Sequence, residues 1–360
     1  MTRFATSTFT VTVLTLAGMG LSFLSNLALA AHFGVGPNMD AYLAATTLPS
    51  LLNAILSASL AAVFLPLFLE SREKNDGREW RLASTLMNAT ALASAAIGVG
   101  ALIAAEPLQR LLTPGLPPAS LALAADLMRW LLPGILLACV NQILSGIYFS
   151  RDRFFVPMAL RLFVPGLTLL FILVFGSRFT IQGLAIASFT ASLCQTGVLV
   201  AFRPRPSHFT PLLDLRQPEM VQALRLVLPM MIVTCCLKFT PAFERWVASG
   251  MPSGSISTLG YATRLINTVQ PLVVSGISVA GFALMSGLVA RQDMTGLRQA
   301  LRRNCGALFF ASIPLALFLC AFGRPLIALA LERGNFSASN TAETYRLFAI
   351  YALALPATTV

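Results

Sequence analysis

Apolar residues run along this chain in long unbroken blocks separated by short polar connections. A helix needs about 20 mostly apolar residues to cross the hydrocarbon core of a bilayer. Ten blocks meet that length: 9–33, 41–69, 83–105, 122–149, 154–176, 181–202, 220–249, 257–289, 304–331 and 341–360. The pattern predicts an all-α polytopic membrane protein with about ten transmembrane helices. Arg3 and the small residues of 27–31 resemble a secretory signal with its cleavage site. The first block nevertheless continues to Phe33, beyond the 7–15 residues of a signal's apolar region, and reads as the first span. Prolines interrupt many blocks (Pro49, Pro66, Pro133, Pro165, Pro229, Pro241, Pro271, Pro314). Each removes a backbone hydrogen bond, so kinks are expected.

The connections alternate in charge. Arg3, the loop of Arg72 to Arg81, Arg151 and Arg153, the segment of Arg203 to Arg225, and Arg291 to Arg303 place fifteen basic residues on one side. Arg110, Arg178, Arg324 and Arg333 place four on the other. The positive-inside rule puts the N-terminus in the cytoplasm. The longest cytoplasmic connection, 204–219, carries four prolines and is expected to join an N-terminal lobe of helices 1–6 (1–203) to a C-terminal lobe of helices 7–10 (220–360).

Composition agrees. Of 360 residues 56% are hydrophobic and 11% charged, with a mean hydropathy of +0.77; a soluble domain carries roughly 25% charged residues. The net charge of +11 follows from the topology and gives no reason to invoke nucleic acid. The six cysteines lie in apolar blocks without a C-x-x-C pair, and His32 and His208 are far apart. No metal, cofactor or disulfide framework is expected, and the thiols are read as buried and free.

Charges inside a bilayer are expensive and normally face protein or a watery cavity. Arg129, Arg161, Lys238, Arg245, Arg264 and Arg346 lie in spans or at their ends, against only Asp40, Asp126 and Glu244 among acids. This excess favours a cavity for an anionic substrate, with Lys238, Arg245 and Arg264 as lining. The alternative for the long side chains is snorkelling to the interface. Glu244 is expected to pair with a neighbouring helix, and Asp126 with Arg129, three residues away on the same helix.

The chain also carries a faint repeat. A Gly/Pro loop at 34–40 is followed by Tyr42 and a proline-interrupted helix, and Gly250–Gly254 is followed by Tyr261 and a helix with Pro271. Phe33-Gly-Val-Gly-Pro-Asn-Met-Asp-Ala-Tyr42, with Leu48-Pro49 and Phe64-Leu-Pro66, resembles the first hairpin of the MurJ/MviN family of lipid II flippases. The stretch from Ala248 to Leu265 resembles that family's turn between helices seven and eight. Glu332-Arg-Gly-Asn-Phe336 with Asn340-Thr341 resembles its loop before helix ten. Asn340 and Glu343 also have the spacing of a capping box.

The resemblance implies a two-lobed bundle of the multidrug/oligosaccharidyl-lipid/polysaccharide exporter superfamily in the bacterial inner membrane, with further helices beyond the tenth that this chain lacks. It implies transport of an undecaprenyl-pyrophosphate-linked saccharide such as lipid II from the inner to the outer leaflet by alternating access, driven by membrane potential or a coupling ion. Asp40 and Arg264 match functional polar positions of the family, and Ser257 a small polar one; Glu244, Ser25 and Asn26 complete the expected cavity set. Where members have arginines in the first helix this chain has Ser25 and Ala31; basic residues of the second helix are replaced by Thr47 and Asn53, and an acid before the helix-eight arginine by Thr263. A flippase for another lipid-linked polysaccharide and a non-transporting homologue are the alternatives. A membrane glycosyltransferase would need surface acids for a metal, and the cluster Glu70, Glu73, Asp76 and Glu79 is interleaved with basic residues as in a solvated loop. The chain is expected not to be an enzyme.

Overall fold

A computed structural model describes residues 2–73, 78–176, 180–203, 209, 213, 214 and 217–359. Fifteen α-helices and no strand occur among them: α1 (Thr2–Phe33), α2 (Pro37–Ala45), α3 (Thr47–Glu73), α4 (Arg78–Ile103), α5 (Ala105–Leu112), α6 (Pro118–Leu131), α7 (Pro133–Phe149), α8 (Phe155–Leu160), α9 (Phe163–Phe175), α10 (Ile181–Ala201), α11 (Pro218–Lys238), α12 (Thr240–Ser249), α13 (Ser255–Ala290), α14 (Met294–Leu331) and α15 (Ala338–Thr359). By length and composition eight spans are able to cross a membrane, several of them built from two consecutive helices. A ninth is α13, bent by 47° between Pro271 and Gly276. The tenth expected span is the 22-residue α15. With Glu343 and Arg346 in its first half, it falls short of the length-and-composition measure the other nine meet. The chain is a multi-pass membrane protein.

The prolines explain where spans divide. A proline at position i leaves the carbonyl of i−4 without its amide donor. Pro49, Pro133, Pro165 and Pro241 each follow a helix boundary by a few residues, at Thr46, Leu132, Arg161–Leu162 and Phe239. Pro66, Pro229 and Pro314 instead lie within continuous helices.

Packing divides the chain into two compact units, one of Met1–Ser25 with Pro37–Ile256 and one of Asn26–Gly36 with Ser257–Val360. The connection 204–219, expected to join two lobes, lies for the most part outside the described residues. The helix after it, α11, packs against α3 in the first unit.

In the first unit α3 packs on α7 and α11, and α2 on α6. Lipid tails are as apolar as leucine, so helices associate in a membrane through close van der Waals contact and small residues. Ala41, Ala44 and Ala45 of α2 and Ala124 and Ala125 of α6 are almost wholly buried, which lets these backbones approach. Near the end that carries most of the basic residues, the Tyr148 hydroxyl donates to the Leu199 carbonyl at 3.1 Å. There Arg72 donates to the carbonyl of Ser150, and the Arg151 guanidinium sits 5.5 Å from the Trp80 ring centre. Burial and the nearby charges of Arg72 and Arg153 lower the pKa of Arg151.

In the second unit α14 and α15 form the main helix pair. Gly323 of α14 receives the rings of Phe348 and Tyr345, and the Tyr345 hydroxyl donates to the Cys320 carbonyl at 2.5 Å. The cap of α15 corrects the expectation for Asn340. Ser337 is the capping residue, its hydroxyl accepting from the Asn340 amide at 3.4 Å. Asn340 therefore stands three residues inside, where the capped amide belongs. The thiols correct a second expectation. Cys139 is buried, but Cys194 and Cys236 are exposed and Cys235, Cys305 and Cys320 half-buried. An apolar block in a membrane need not turn every weakly polar residue inward.

Candidate functional site

In the first unit the polar chemistry gathers at the break between α2 and α3. Leaving the helix at Thr46 frees carbonyls, and buried backbone groups require partners. The Leu43 carbonyl accepts from the Thr46 and Thr47 hydroxyls at 2.8 and 3.2 Å and from Arg245 Nη1 at 2.9 Å. The same Nη1 lies 3.3 Å from Thr46 Oγ1 and 3.0 Å from Thr47 Oγ1. The Ala44 carbonyl accepts from the amide of the fully buried Gln109 on α5, at 3.3 Å. Arg245, expected as cavity lining, thus also acts as a cap on a broken helix 202 positions earlier in the chain. Gln109 lies in an amphipathic stretch between spans, where nothing in its local pattern marks it out.

Beside this break is a cavity of about 160 Å³ lined by Thr47, Ser50, Leu51, Ala54, Lys238, Pro241, Ala242 and Arg245. Lys238 ends α11 and is exposed. Glu244 is half-buried and makes no ion pair among the described residues, contrary to the expected interhelical bridge. Its neighbour Arg245 is turned to another face of α12.

Asp40, 2% exposed in the first turn of α2, accepts from the Gly254 amide at 2.5 Å. Its charge also suits the positive end of that helix. Nearby, the Ser249 hydroxyl accepts from the Gly115 amide at 3.2 Å. Asp40 therefore ties the loop after α12 to the start of α2. Replacing Asp40 with Ala removes a charged acceptor from a buried amide and is expected to lower stability by about 1–3 kcal/mol. Asp40→Asn keeps an acceptor and should melt closer to the parent; equal melting of both variants in detergent would remove this role. Ser25 is buried in the same unit.

In the second unit Arg264 is half-buried on α13, and its Nη1 donates to Asn26 Oδ1 at 2.9 Å. No carboxylate among the described residues lies within ion-pair distance of it. Ser257 is fully buried, and its hydroxyl accepts from the Gly36 amide at 3.3 Å. One helical turn on, the Tyr261 hydroxyl donates to the Gly34 carbonyl at 2.9 Å, and its ring meets Phe336 edge-on at 5.5 Å. The loop before α15 closes the cluster. The Asn335 amide donates to the Ala31 carbonyl at 2.8 Å and its side chain to the His32 carbonyl at 2.5 Å. The three quoted motifs are thus parts of one packed joint around Tyr261 and Asn335. Both residues stand in the sequence motifs, Tyr261 also as the counterpart of Tyr42 in the repeat, but neither is among the expected cavity residues.

The remaining charges sit elsewhere. Asp126 and Arg129 form the expected pair at 2.5 Å on the surface of α6. Arg161 and Arg346 are exposed. The structure therefore separates the expected set into Asp40, Lys238, Glu244 and Arg245 in the first unit, with Ser25, and Asn26, Ser257 and Arg264 in the second.

The family described as lipid II flippase MurJ matches residues 29–360. Among curated relatives, the probable lipid II flippase MurJ of Buchnera aphidicola subsp. Schizaphis graminum is 23% identical, over 97% of this chain and 69% of its own length. That of Bdellovibrio bacteriovorus is 26% identical, over 95% and 67%. The chain spans about two thirds of these relatives. A solved lipid II flippase MurJ in an inward closed conformation superimposes with a TM-score of 0.81 at 20% identity, covering 96% of this chain and 72% of that one. An inward-facing multidrug transporter of the MATE family gives 0.72 at 16% identity, over 94% and 78%. These likenesses place the helices in the transporter fold shared by the two groups, and the match over residues 29–360 shows that this chain belongs to the lipid II flippase MurJ family.

Proposed function

We propose that this chain translocates a polyprenyl-pyrophosphate-linked saccharide, lipid II in the first instance, from the inner to the outer leaflet by alternating access. The observation that carries the reading is Arg264. Its guanidinium is half-buried within a membrane span, held by a neutral amide oxygen and left with its charge available to an anion. An intramembrane cation of this kind marks a substrate path more often than a structural pair. A pyrophosphate supplies the complementary charge, and guanidinium binds phosphate oxygens with forked hydrogen bonds. The work is binding and release, with no bond made or broken.

The charge bias of the loops supports a cytoplasmic N-terminus. In chain order, helices 1–6 to residue 203 and helices 7–10 from residue 220 serve as the two lobes, with 204–219 between them. In the first unit the proposed substrate-path residues are Lys238, Glu244 and Arg245, with the buried Asp40 and Ser25 as supports; in the second, Asn26 and the buried Ser257 support Arg264. Membrane potential or a coupling ion drives the return step. A flippase for another lipid-linked glycan is the second reading, favoured by the neutral Ser25, Ala31, Thr47 and Asn53.

The test expresses this gene in a bacterium whose own lipid II flippase is shut off and measures lipid II open to an enzyme added outside. Restored exposure is expected. A well-inserted protein that restores none defeats the lipid II assignment and moves the assay to export of surface polysaccharide.

A further inference from the structure

We propose that the first turns of α14 form a binding site for the phosphate of an acidic phospholipid, held by Arg298 and Arg302. The ligand is a resident bilayer lipid and not the transported one. The proposal rests on the reading above only for the leaflet, since this end of α14 lies on the side assigned to the cytoplasm.

Charge comes first. Between Glu244 and Glu332 the chain has one acidic residue, Asp293. It is committed to capping α14, where its Oδ1 accepts from the Gly296 amide at 2.8 Å. Around it stand Arg291, Arg298, Arg302 and Arg303, all exposed. None of these four guanidiniums makes a hydrogen bond or ion pair among the described residues. Arg298 and Arg302 are one turn apart on one face of the helix, so their charges repel. The buried Ala300 lies on the opposite face, which leaves the arginine face turned away from the packing. A like-charged pair without an internal acid is relieved by an external anion.

Depth says which anion. Arg303 and Arg324 bound the uncharged part of α14 and are 21 positions apart. That separation is about 31 Å along a helix, the thickness of the hydrocarbon core. Arg302 and Arg298 then fall about 1.5 and 7.5 Å outside the core, across the layer of head groups. Helical side chains lean toward the N-terminus, here away from the hydrocarbon and toward the lipid phosphates. A guanidinium takes a phosphate in forked hydrogen bonds. Leu301, 54% exposed, stands beside Arg298 and offers the first carbons of an acyl chain an apolar contact that a free anion would not use. A zwitterionic head group would bring its own ammonium toward four cations, whereas phosphatidylglycerol brings none. Basic residues just cytoplasmic of a span favour anionic lipid for the same reason.

The purified full chain in detergent is titrated with phosphatidylglycerol and followed by native mass spectrometry, with phosphatidylethanolamine and inorganic phosphate as competitors. The double variant Arg298→Gln with Arg302→Gln is expected to weaken binding about twentyfold, the worth of two arginines at an anionic surface. Arg298→Lys with Arg302→Lys keeps both charges, loses the forks and controls for folding; its binding should fall between the two. Arg153→Gln with Arg203→Gln removes two exposed arginines from other connections on the same side and should leave binding within about twofold. Unchanged binding by the Arg298/Arg302 glutamine variant overturns the site and leaves this face to an acidic protein partner. Equal losses in the two glutamine variants overturn it in favour of diffuse charge. Equal competition by phosphatidylethanolamine overturns the preference for an acidic lipid, and equal competition by inorganic phosphate makes it a free-anion site. Binding in detergent requires neither transport nor a leaflet. Absence of lipid II flipping with intact phosphatidylglycerol binding therefore removes the lipid II assignment alone, and flipping with binding indifferent to Arg298 and Arg302 removes this site alone.

Discussion

Arg264→Ala should reduce the lipid II exposed on the outer leaflet at least tenfold, with the protein still inserted at the parent level. The guanidinium is the half-buried cation of α13, oriented by Asn26 at 2.9 Å. Its loss removes both a charge and a forked donor, and one charge-assisted contact is worth about 1.5–3 kcal/mol, roughly ten- to a hundredfold. Arg264→Lys keeps the charge but not the fork, so partial activity is expected. Asn26→Leu leaves the charge and releases its orientation, placing this variant between the two. Full exposure of lipid II in cells carrying Arg264→Ala would end the assignment of this residue to the substrate path.

The second large effect falls on stability. Gly34 and Gly334 both have left-handed backbones, with φ of +61° and +59°. A Cβ on Gly34 would meet the Asn335 carbonyl oxygen, and one on Gly334 that of Ala31. The conformation costs an alanine about 1–2 kcal/mol, and a collision with backbone on each side cannot be relieved by turning a side chain. Gly34→Ala and Gly334→Ala are each expected to lose about 2–4 kcal/mol. Gly36→Ala is the matched control, since its Cβ would meet nothing within 4 Å. Thermal unfolding in detergent should separate the first two variants clearly from the third; three coincident transitions would contradict the packed joint.

The spans, their division near prolines and the Asp126–Arg129 pair follow from local rules, because each depends on residues a few positions apart. Arg264 was legible for the same kind of reason, a lone charge inside an apolar block. The partners were not. Nothing near Arg245 in sequence indicates that it serves carbonyls of α2, and nothing near Gln109 points to Ala44, since these bonds are chosen by tertiary packing. The Asn340 cap was misplaced by three residues because Ser337 and Asn340 both suit the position and only the start of α15 decides between them. The family motifs were legible as a set, but their packing around Tyr261 was not, since a motif records which residues recur and not what they touch.

The break between α2 and α3 has a consequence for how the protein is made. Gln109 lies 65 residues beyond Ala44, and Arg245 lies 202 beyond Leu43. At a synthesis rate of about 5–20 residues per second, the second span waits roughly 3–13 seconds for Gln109 and about 10–40 seconds for Arg245. Through that interval the broken helix must rest where water, lipid head groups or the insertion machinery can hydrate its freed carbonyls. Helix α12 then acts as a late clasp, and the first bundle reaches its final form only after residue 245 has been laid down.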